Sequence, residues 1–462
     1  MYERYHLQTC SAPDIVPFPN LTRVEVSKRA LATHLIRELI RHRRNLQVAL
    51  SRPCVYGVFS GPVGGFAPRR RECVGCLRCS IEYPDMARVN LNPARRRLGD
   101  SYFTPAHLDT INYEARTGRV PVRGAGYRGP FGGSGWDGMW TDMSEIVRPT
   151  RDGIHGREFI STSVDLGRKI PFLNVDAQGQ VSAEGLETFS LPIPVLFDLP
   201  PASVLSPELV RILNMAARAA RTLVIVPVEM VNHLGVEGHQ VVPLAGPEDA
   251  DALRGLRFTP QMIELRGWKE ALFHEVQKLF PKSTVCLRLD FGDGQELLEH
   301  YASGVRAFHL VTNYHGVGSG GRFALGLIRQ AHEALLEAGC RDAVTLLGTG
   351  GIIAAEHVPK AIICGLDAVA LDTPVLAALE AKFIGECADR ETSRFQLPRK
   401  IVDGWGAQRL LNLLVSWRDQ LLEILGAMGL REVRRLRGEM GRAMFQGDLE
   451  REAFSGIEGY GQ

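Results

Sequence analysis

No apolar run in the 462-residue sequence reaches the roughly 18 residues needed to cross a bilayer. The opening stretch, MYERYHLQTCSAPDIV, lacks a basic region followed by an apolar core. No secretory signal is expected, and the cytoplasm is the default compartment. Internal repeats and low-complexity tracts are also missing. Hydrophobic residues make up 45% and charged residues 23%, a balance that excludes a disordered chain and a fibre. Cysteine is scarce, at nine residues, and so is net charge, at +2. What the length does supply is room for roughly two to four domains.

Both scarce quantities are unevenly spread. Residues 1–130 hold 21 Lys and Arg against 10 Asp and Glu, a balance of +11, and the remainder carries −9. A basic head precedes an acidic body. Four cysteines lie between Cys54 and Cys79, and three of them fall within seven residues. In a reducing compartment such crowding argues for a metal or cluster rather than disulfides.

The motif is Cys73-x2-Cys76-x2-Cys79-x3-Tyr83-Pro84. Ferredoxins place three cysteines at this spacing around one face of a cubane, with a fourth before the proline that serves a second cluster. Tyr83 at that fourth position predicts a single [4Fe–4S] cluster. Its fourth ligand is Cys54, with Cys10 the next candidate. A zinc site or an empty loop remain the alternatives. Arg69, Arg70, Arg71 and Arg78 would offset the cluster's negative charge, which gives the basic head a reason. No nucleic-acid recognition motif accompanies it, so no nucleic acid is expected as partner.

The stretch SKRALATHLIRELIRHRRN predicts an amphipathic helix with Leu31, Leu35, Ile36, Leu39 and Ile40 on one face and a basic opposite face. That basic face is either solvated surface or a docking face for an acidic partner. From about residue 190, short β-rich runs alternate with helices at 206–220, 268–279, 294–302, 322–338, 355–363 and 374–384. Repeated βα units imply a parallel sheet, closed or open. Two helices, 407–427 and a strongly basic 430–442, end the pattern. The expected organisation is an arm and basic helix (1–50), a ferredoxin-like iron–sulfur segment (51–126), an irregular wrapping segment rich in glycine (127–189), a barrel (190–400) and a helical tail (401–462).

The run LLGTGGIIAAEHV sets Gly348, Thr349, Gly350 and Gly351 between a strand and a helix. The next unit ends its strand at Asp372, followed by Thr373 and Pro374. In (β/α)8 barrels the last two βα loops commonly hold a phosphate. The alternative is a pair of tight turns with no ligand. Upstream, TNYHGVGSGGR supplies His315, Gly316 and Gly318. Arg288 sits inside an apolar strand, VCLRLD, where it needs an anionic partner. It would either hold negative charge on a flavin at the barrel mouth or form a structural salt bridge.

These residues resemble the glutamate synthase family, in the short archaeal-type form that places a ferredoxin-like segment before its synthase domain. The resemblance rests on WDGMWTDMSEIVRP, EFISTSVDLGRK, LSPELVRILNMAARAA, VCLRLD, TNYHGVGSGG, GLDAVALDTPVLAALEAKF and the tail LLNLLVSWRDQLLEILGAMGLREVRRLRG. It implies an α/β (β/α)8 TIM-type barrel holding FMN, a small N-terminal iron–sulfur segment and C-terminal helices. Arg288 stands where the family has a flavin-contacting lysine. The expected activity is a flavin and iron–sulfur oxidoreductase. It would form glutamate from 2-oxoglutarate and ammonia or glutamine nitrogen, fed by a redox partner subunit or small electron carrier. Departures fall at the substrate end. VPVEMVN stands for the family's GEGG loop, HLGVEGHQVVPLAGPED and RFTPQMIELRGWK replace its lysine- and glycine-rich segment, and only Cys387 remains of a second cluster motif. No counterpart of the amidotransferase region is present. An electron-transfer or structural subunit is therefore the alternative, and a non-flavin barrel for another phosphorylated ligand a third. Cys76→Ser should lose the iron and keep the flavin, read from the iron and flavin content of purified protein. Full iron content would count against the cluster.

Overall fold

The computed structural model describes residues 5, 7–121, 133–141, 159–170, 174–175, 177–182, 185–291 and 294–459. Gly129, Gly132 and residues 142–158 of the wrapping segment lie outside them. The described residues form two compact units, one of residues 14–100 and the other of the described residues outside that range.

The smaller unit starts from TRVEV, whose alternation buries Thr22 and Val24 on one face. This strand pairs antiparallel with Ala87–Leu91, Val24 opposite Val89. Ser27 caps the helix Lys28–Arg41, its hydroxyl accepting from the Ala30 amide. Only part of the expected apolar stripe is used. Leu31 is buried, but Ile36 is 61% and Ile40 77% exposed, while His34 and Glu38 are buried in their stead. The core is small: Val24, Leu31, Val58, Phe59, Met86 and Ala87, together with Cys54 and Cys79.

The larger unit is a closed barrel of eight parallel strands. These are β1 (Val195–Phe197), β2 (Val224–Pro227), β3 (Val241–Ala245), β4 (Met262–Arg266), β5 (Thr284–Asp290), β6 (Ala307–Val311), β7 (Thr345–Thr349) and β8 (Ala368–Leu371). The barrel expectation is met. Strands β1, β3 and β4 were not among the expected runs. They are short and apolar without alternation, the pattern least distinct from a buried helix. The strand register sets Arg288 beside His309 on adjacent strands. After β8 the expected helix 374–384 stops at Ala378. The chain then makes a hairpin of β9 (Lys382–Ile384) and β10 (Arg394–Gln396).

A second hairpin, Val164–Arg168 with Glu187–Leu191, covers the N-terminal end of the strands. There Gly167 and Thr345 exchange two hydrogen bonds, the Gly167 amide donating to Thr345 Oγ1 and that hydroxyl donating to the Gly167 carbonyl. Next to it, Asp367 accepts from Lys169 (2.7 Å), Arg341 (3.0 Å), Arg437 (3.0 Å) and the Leu346 amide (2.8 Å). Burial would raise its pKa, but the three cations hold it well below the carboxylate range.

The helix Asp403–Ala427 packs on Pro207–Ala220 and Pro105–Thr117. Trp417 and Gln420 donate to the fully buried Glu114. Arg409, also fully buried, donates to the carbonyls of Ala378 and Ala12 and pairs with Glu380 at 3.2 Å. The expected basic helix 430–442 is instead two short turns, Val433–Leu436 and Met440–Arg442. Gly438 takes a left-handed φ of 77°, and Arg434, Arg437 and Arg442 each reach a separate distant acceptor. Among the described residues no helix is long and apolar enough to cross a membrane.

Asp367→Ala would take the shared carboxylate from the buried Arg341 and the partly buried Lys169 and Arg437, and should cost about 3–5 kcal/mol in urea unfolding. A loss below about 1 kcal/mol would mean that they find other partners.

Candidate functional site

Two places gather chemistry, one in each unit. In the smaller unit the cysteine loop turns twice through left-handed backbone, at Gly75 (φ 75°) and Leu77 (φ 60°). A non-glycine residue there costs of order 1–3 kcal/mol, so its surroundings must hold it. The turns start the short helix Arg78–Glu82, which carries Cys79. Cys54 and Cys79 are buried, Cys73 is half-buried and Cys76 is exposed. Burial raises the Cys79 thiol pKa, and Cys54, Cys73 and Cys76 raise it further. The other three sulfurs therefore lie near enough to Cys79 to act on it. Among the described residues no three of them lie within 4.8 Å of one another. A tetrahedral zinc site with Zn–S bonds of about 2.3 Å needs sulfur pairs about 3.8 Å apart. Cys10 belongs to the larger unit, where its carbonyl accepts from Asn412.

In the larger unit the charged groups lie in and just past the barrel strands. Arg288 on β5 donates to both oxygens of Asp198, just after β1, at 2.7 and 3.0 Å, and to Glu264 on β4 at 2.8 Å. His309 on β6 meets Glu264 through Nδ1 at 3.0 Å. Its Nε2 is buried and has no hydrogen-bond partner among the described residues. Burial alone would raise the pKa of both carboxyls. For Asp198 the Arg288 charge and hydrogen bonds outweigh it, and for Glu264 the neighbours His309 and Arg288 do, so both pKa values are lowered.

Asp198 leads outward to a second cation. Arg390, from the β9–β10 loop, donates to the Thr312 carbonyl (2.5 Å) and to Asp372 just after β8 (2.8 Å), and lies 3.5 Å from Asp198. Its guanidinium stacks over Tyr314 at 4.6 Å. Asp372 also accepts from the Thr373 amide and hydroxyl. Burial pushes the Asp372 carboxyl up, Arg390 opposes this, and Asp198 adds to it.

The glycine loops pack on one another. Gly350 has φ 105° and Gly351 φ 70°. A Cβ on Gly350 would stand 2.0 Å from Thr312 Oγ1 and 2.5 Å from the Asn313 carbonyl, and one on Gly351 would stand 2.7 Å from Gly316 Cα. These glycines are required by protein packing whether or not a ligand is near. Gly318 and Gly348 face Leu327 and Leu366. Thr349 donates to the Ala370 carbonyl, and Tyr102 donates to the Gly351 carbonyl while stacking on His315.

The structure thus brings Thr349, Gly350, Gly351 and Gly316 together and links Arg288 to Asp372 and Thr373 through Asp198 and Arg390. Gly318, Gly348 and His315 support the loops. Asp198, Glu264, His309, Arg390 and Tyr102 were not among the expected site residues. Glu264 and His309 carried the same signal as Arg288, a charged or polar residue inside an apolar strand. At this mouth Arg390 is the partly exposed cation, and Asp372 and Asp198 face its guanidinium.

Residues 315–431 match the model of the conserved region in glutamate synthase. The chain is 27% identical over 224 aligned positions to the archaeal glutamate synthase [NADPH] of Methanocaldococcus jannaschii, covering 47% of this chain and 43% of that one. That match spans less than half of the relative's length. It is 24% identical over 507 positions to the protein of the same description from Archaeoglobus fulgidus, covering 93% and 98%. It is 25% identical over 436 positions to the archaeal-type glutamate synthase [NADPH] of Dehalococcoides mccartyi, covering 80% and 86%. Among solved structures, mandelate oxidase aligns at a TM-score of 0.37 and 14% identity, over 65% of this chain and 97% of that one.

Removing the guanidinium with Arg288→Ala leaves two carboxylates buried together and should cost about 3–5 kcal/mol at pH 7. In the wild type their lowered pKa values contribute stability that is present above about pH 4 and lost as pH falls through the folded value. In the variant both values rise toward or past the unfolded ones, with His309 and Arg390 still opposing burial, so the deficit should shrink as pH falls from 7 into the carboxylate range in urea titrations. A deficit that stays constant would contradict the pairing.

Proposed function

We propose that this divergent relative of the glutamate synthase family is an oxidoreductase that holds FMN at the C-terminal mouth of its barrel and a [4Fe–4S] cluster in its smaller unit. The observation that carries the reading is the position of the matched region. Residues 315–431 begin in the β6 loop, include the Gly350–Gly351 turn and Asp372, and end beyond the long C-terminal helix. They supply the last βα loops at the end of the barrel where (β/α)8 enzymes keep their sites. Bound FMN would supply coupling between one-electron and two-electron transfer.

The chain's own groups do the rest. Arg390 and the β7 and β8 loops hold the phosphate end. Arg288 keeps a positive charge within the strands while Asp198 and Glu264 neutralise it. Cys54, Cys73, Cys76 and Cys79 ligate the cluster, and the Cys73-x2-Cys76-x2-Cys79 spacing, which is that of ferredoxins, supports a cluster over zinc. Cys54 rather than Cys10 is the fourth ligand, because Cys54 shares a core with Cys79. The reaction is the reductive formation of glutamate from 2-oxoglutarate and ammonia or glutamine nitrogen, with electrons arriving through the cluster from a partner subunit or small carrier.

A second reading keeps both cofactors and removes the synthase reaction, leaving an electron-transfer or structural subunit. One observation favours it: the Arg288 charge is already met by two carboxylates. An absorption spectrum of protein purified without oxygen should show flavin bands over a broad cluster band, and a spectrum with neither would overturn the proposal. With both present, turnover of 2-oxoglutarate and ammonia with a reduced dye supports the synthase. No turnover with varied donors supports the subunit.

A further inference from the structure

We infer that Arg390 is the phosphate-binding residue of the barrel mouth, and that Asp372 holds its guanidinium until a phosphomonoester takes it. This rests on the flavin reading above.

Arg390 is held ready for such a role. Its backbone sits in a turn fixed by Asp389, whose carboxylate accepts from the Glu391 amide (3.1 Å), the Thr392 amide (2.8 Å) and the Thr392 hydroxyl (2.8 Å). Its Nε is fixed by the Thr312 carbonyl and its guanidinium face by Tyr314. A planar fork held at one edge and over one face keeps its other edge oriented for a bidentate anion. That edge meets Asp372 at 2.8 Å and Asp198 only at 3.5 Å, longer than a well-formed hydrogen bond. The Arg390 side chain is 21% exposed, against 9% for Arg288 and at most 1% for the two aspartates. Of the two guanidiniums, Arg390 is the one an anion from solvent reaches first.

Asp372 is suited to release it. Its second oxygen stays on the Thr373 amide and hydroxyl after Arg390 leaves. The charged and titratable groups facing it are Arg390, Asp198, Tyr102 and Tyr314. Arg390 is the only cation among these. Once its charge is shared with a phosphate, burial and Asp198 favour the protonated carboxyl. The exchange then takes up one proton from solvent and leaves no bare carboxylate beside the phosphate.

The test uses the full chain freed of flavin, titrated with FMN and with riboflavin, which lacks the phosphate, and followed by flavin fluorescence. A charge-assisted contact should make FMN bind roughly 10- to 100-fold tighter than riboflavin. Arg390→Gln should bring the two affinities together without changing riboflavin binding. Asp372→Asn, a milder change, should tighten FMN binding. Calorimetry in buffers of different ionisation enthalpy should show proton uptake in the wild type, diminished in Asp372→Asn. If Arg390→Gln keeps the wild-type preference for FMN, or Asp372→Asn weakens FMN binding, the inference is overturned while the flavin reading stands. If the wild type binds neither flavin, both are overturned.

Discussion

A guanidinium buried against two carboxylates sets the geometry of the barrel. Such interiors are normally filled by layers of branched apolar side chains. Here Arg288 spans from β5 to Glu264 on β4 and to Asp198 beyond β1. Each of the three would be costly to bury charged without the others, although His309 also meets Glu264 and Arg390 also lies near Asp198. The strands are thereby held by charge as well as by the backbone ladder. Asp198 also lies near Arg390, so the constraint passes outward to Asp372 and Thr312. The interior and the mouth form one electrostatic unit, in which a change at any member alters the field at the next.

The two units solve the problem of stability differently. The barrel buries eight strands and a 25-residue helix. The smaller unit has a handful of apolar residues, and two of the cysteines lie among them. A core of that size contributes little by itself, and metal-binding free energy becomes folding free energy when the site exists only in the folded state. The left-handed Leu77 fits this account, because the strained turn lies inside the loop that Cys73, Cys76 and Cys79 would close around the proposed cluster.

How much could be read in advance follows from the range of each interaction. The helix Pro207–Ala220 was legible because its signals are local: Ser206 as cap, Pro207 in the first turn, and an apolar stripe. The Gly350–Gly351 turn was legible for the same reason, between a strand and a helix. Stretch 430–442 misled because its arginines have helical spacing, yet each answers to an acceptor elsewhere, and Gly438 breaks the run. Strands β3 and β4 were hidden by short apolar runs without alternation. Arg390 could not be read at all, since its partners lie 18, 78 and 192 residues away and nothing nearby marks it.

Arg409 joins parts of the chain that are made at very different times. It is fully buried, and it donates to the Ala12 carbonyl 397 residues before it. Contacts of such sequence separation form late, because a long loop must close first. At about 5–20 residues per second, ribosomal synthesis separates the two partners by tens of seconds. During that time the Ala12 carbonyl and the Glu114 carboxylate lack the partners that Arg409, Trp417 and Gln420 later provide. Until the helix Asp403–Ala427 is made, the flank it covers stays open, and that helix acts as the clasp that closes it.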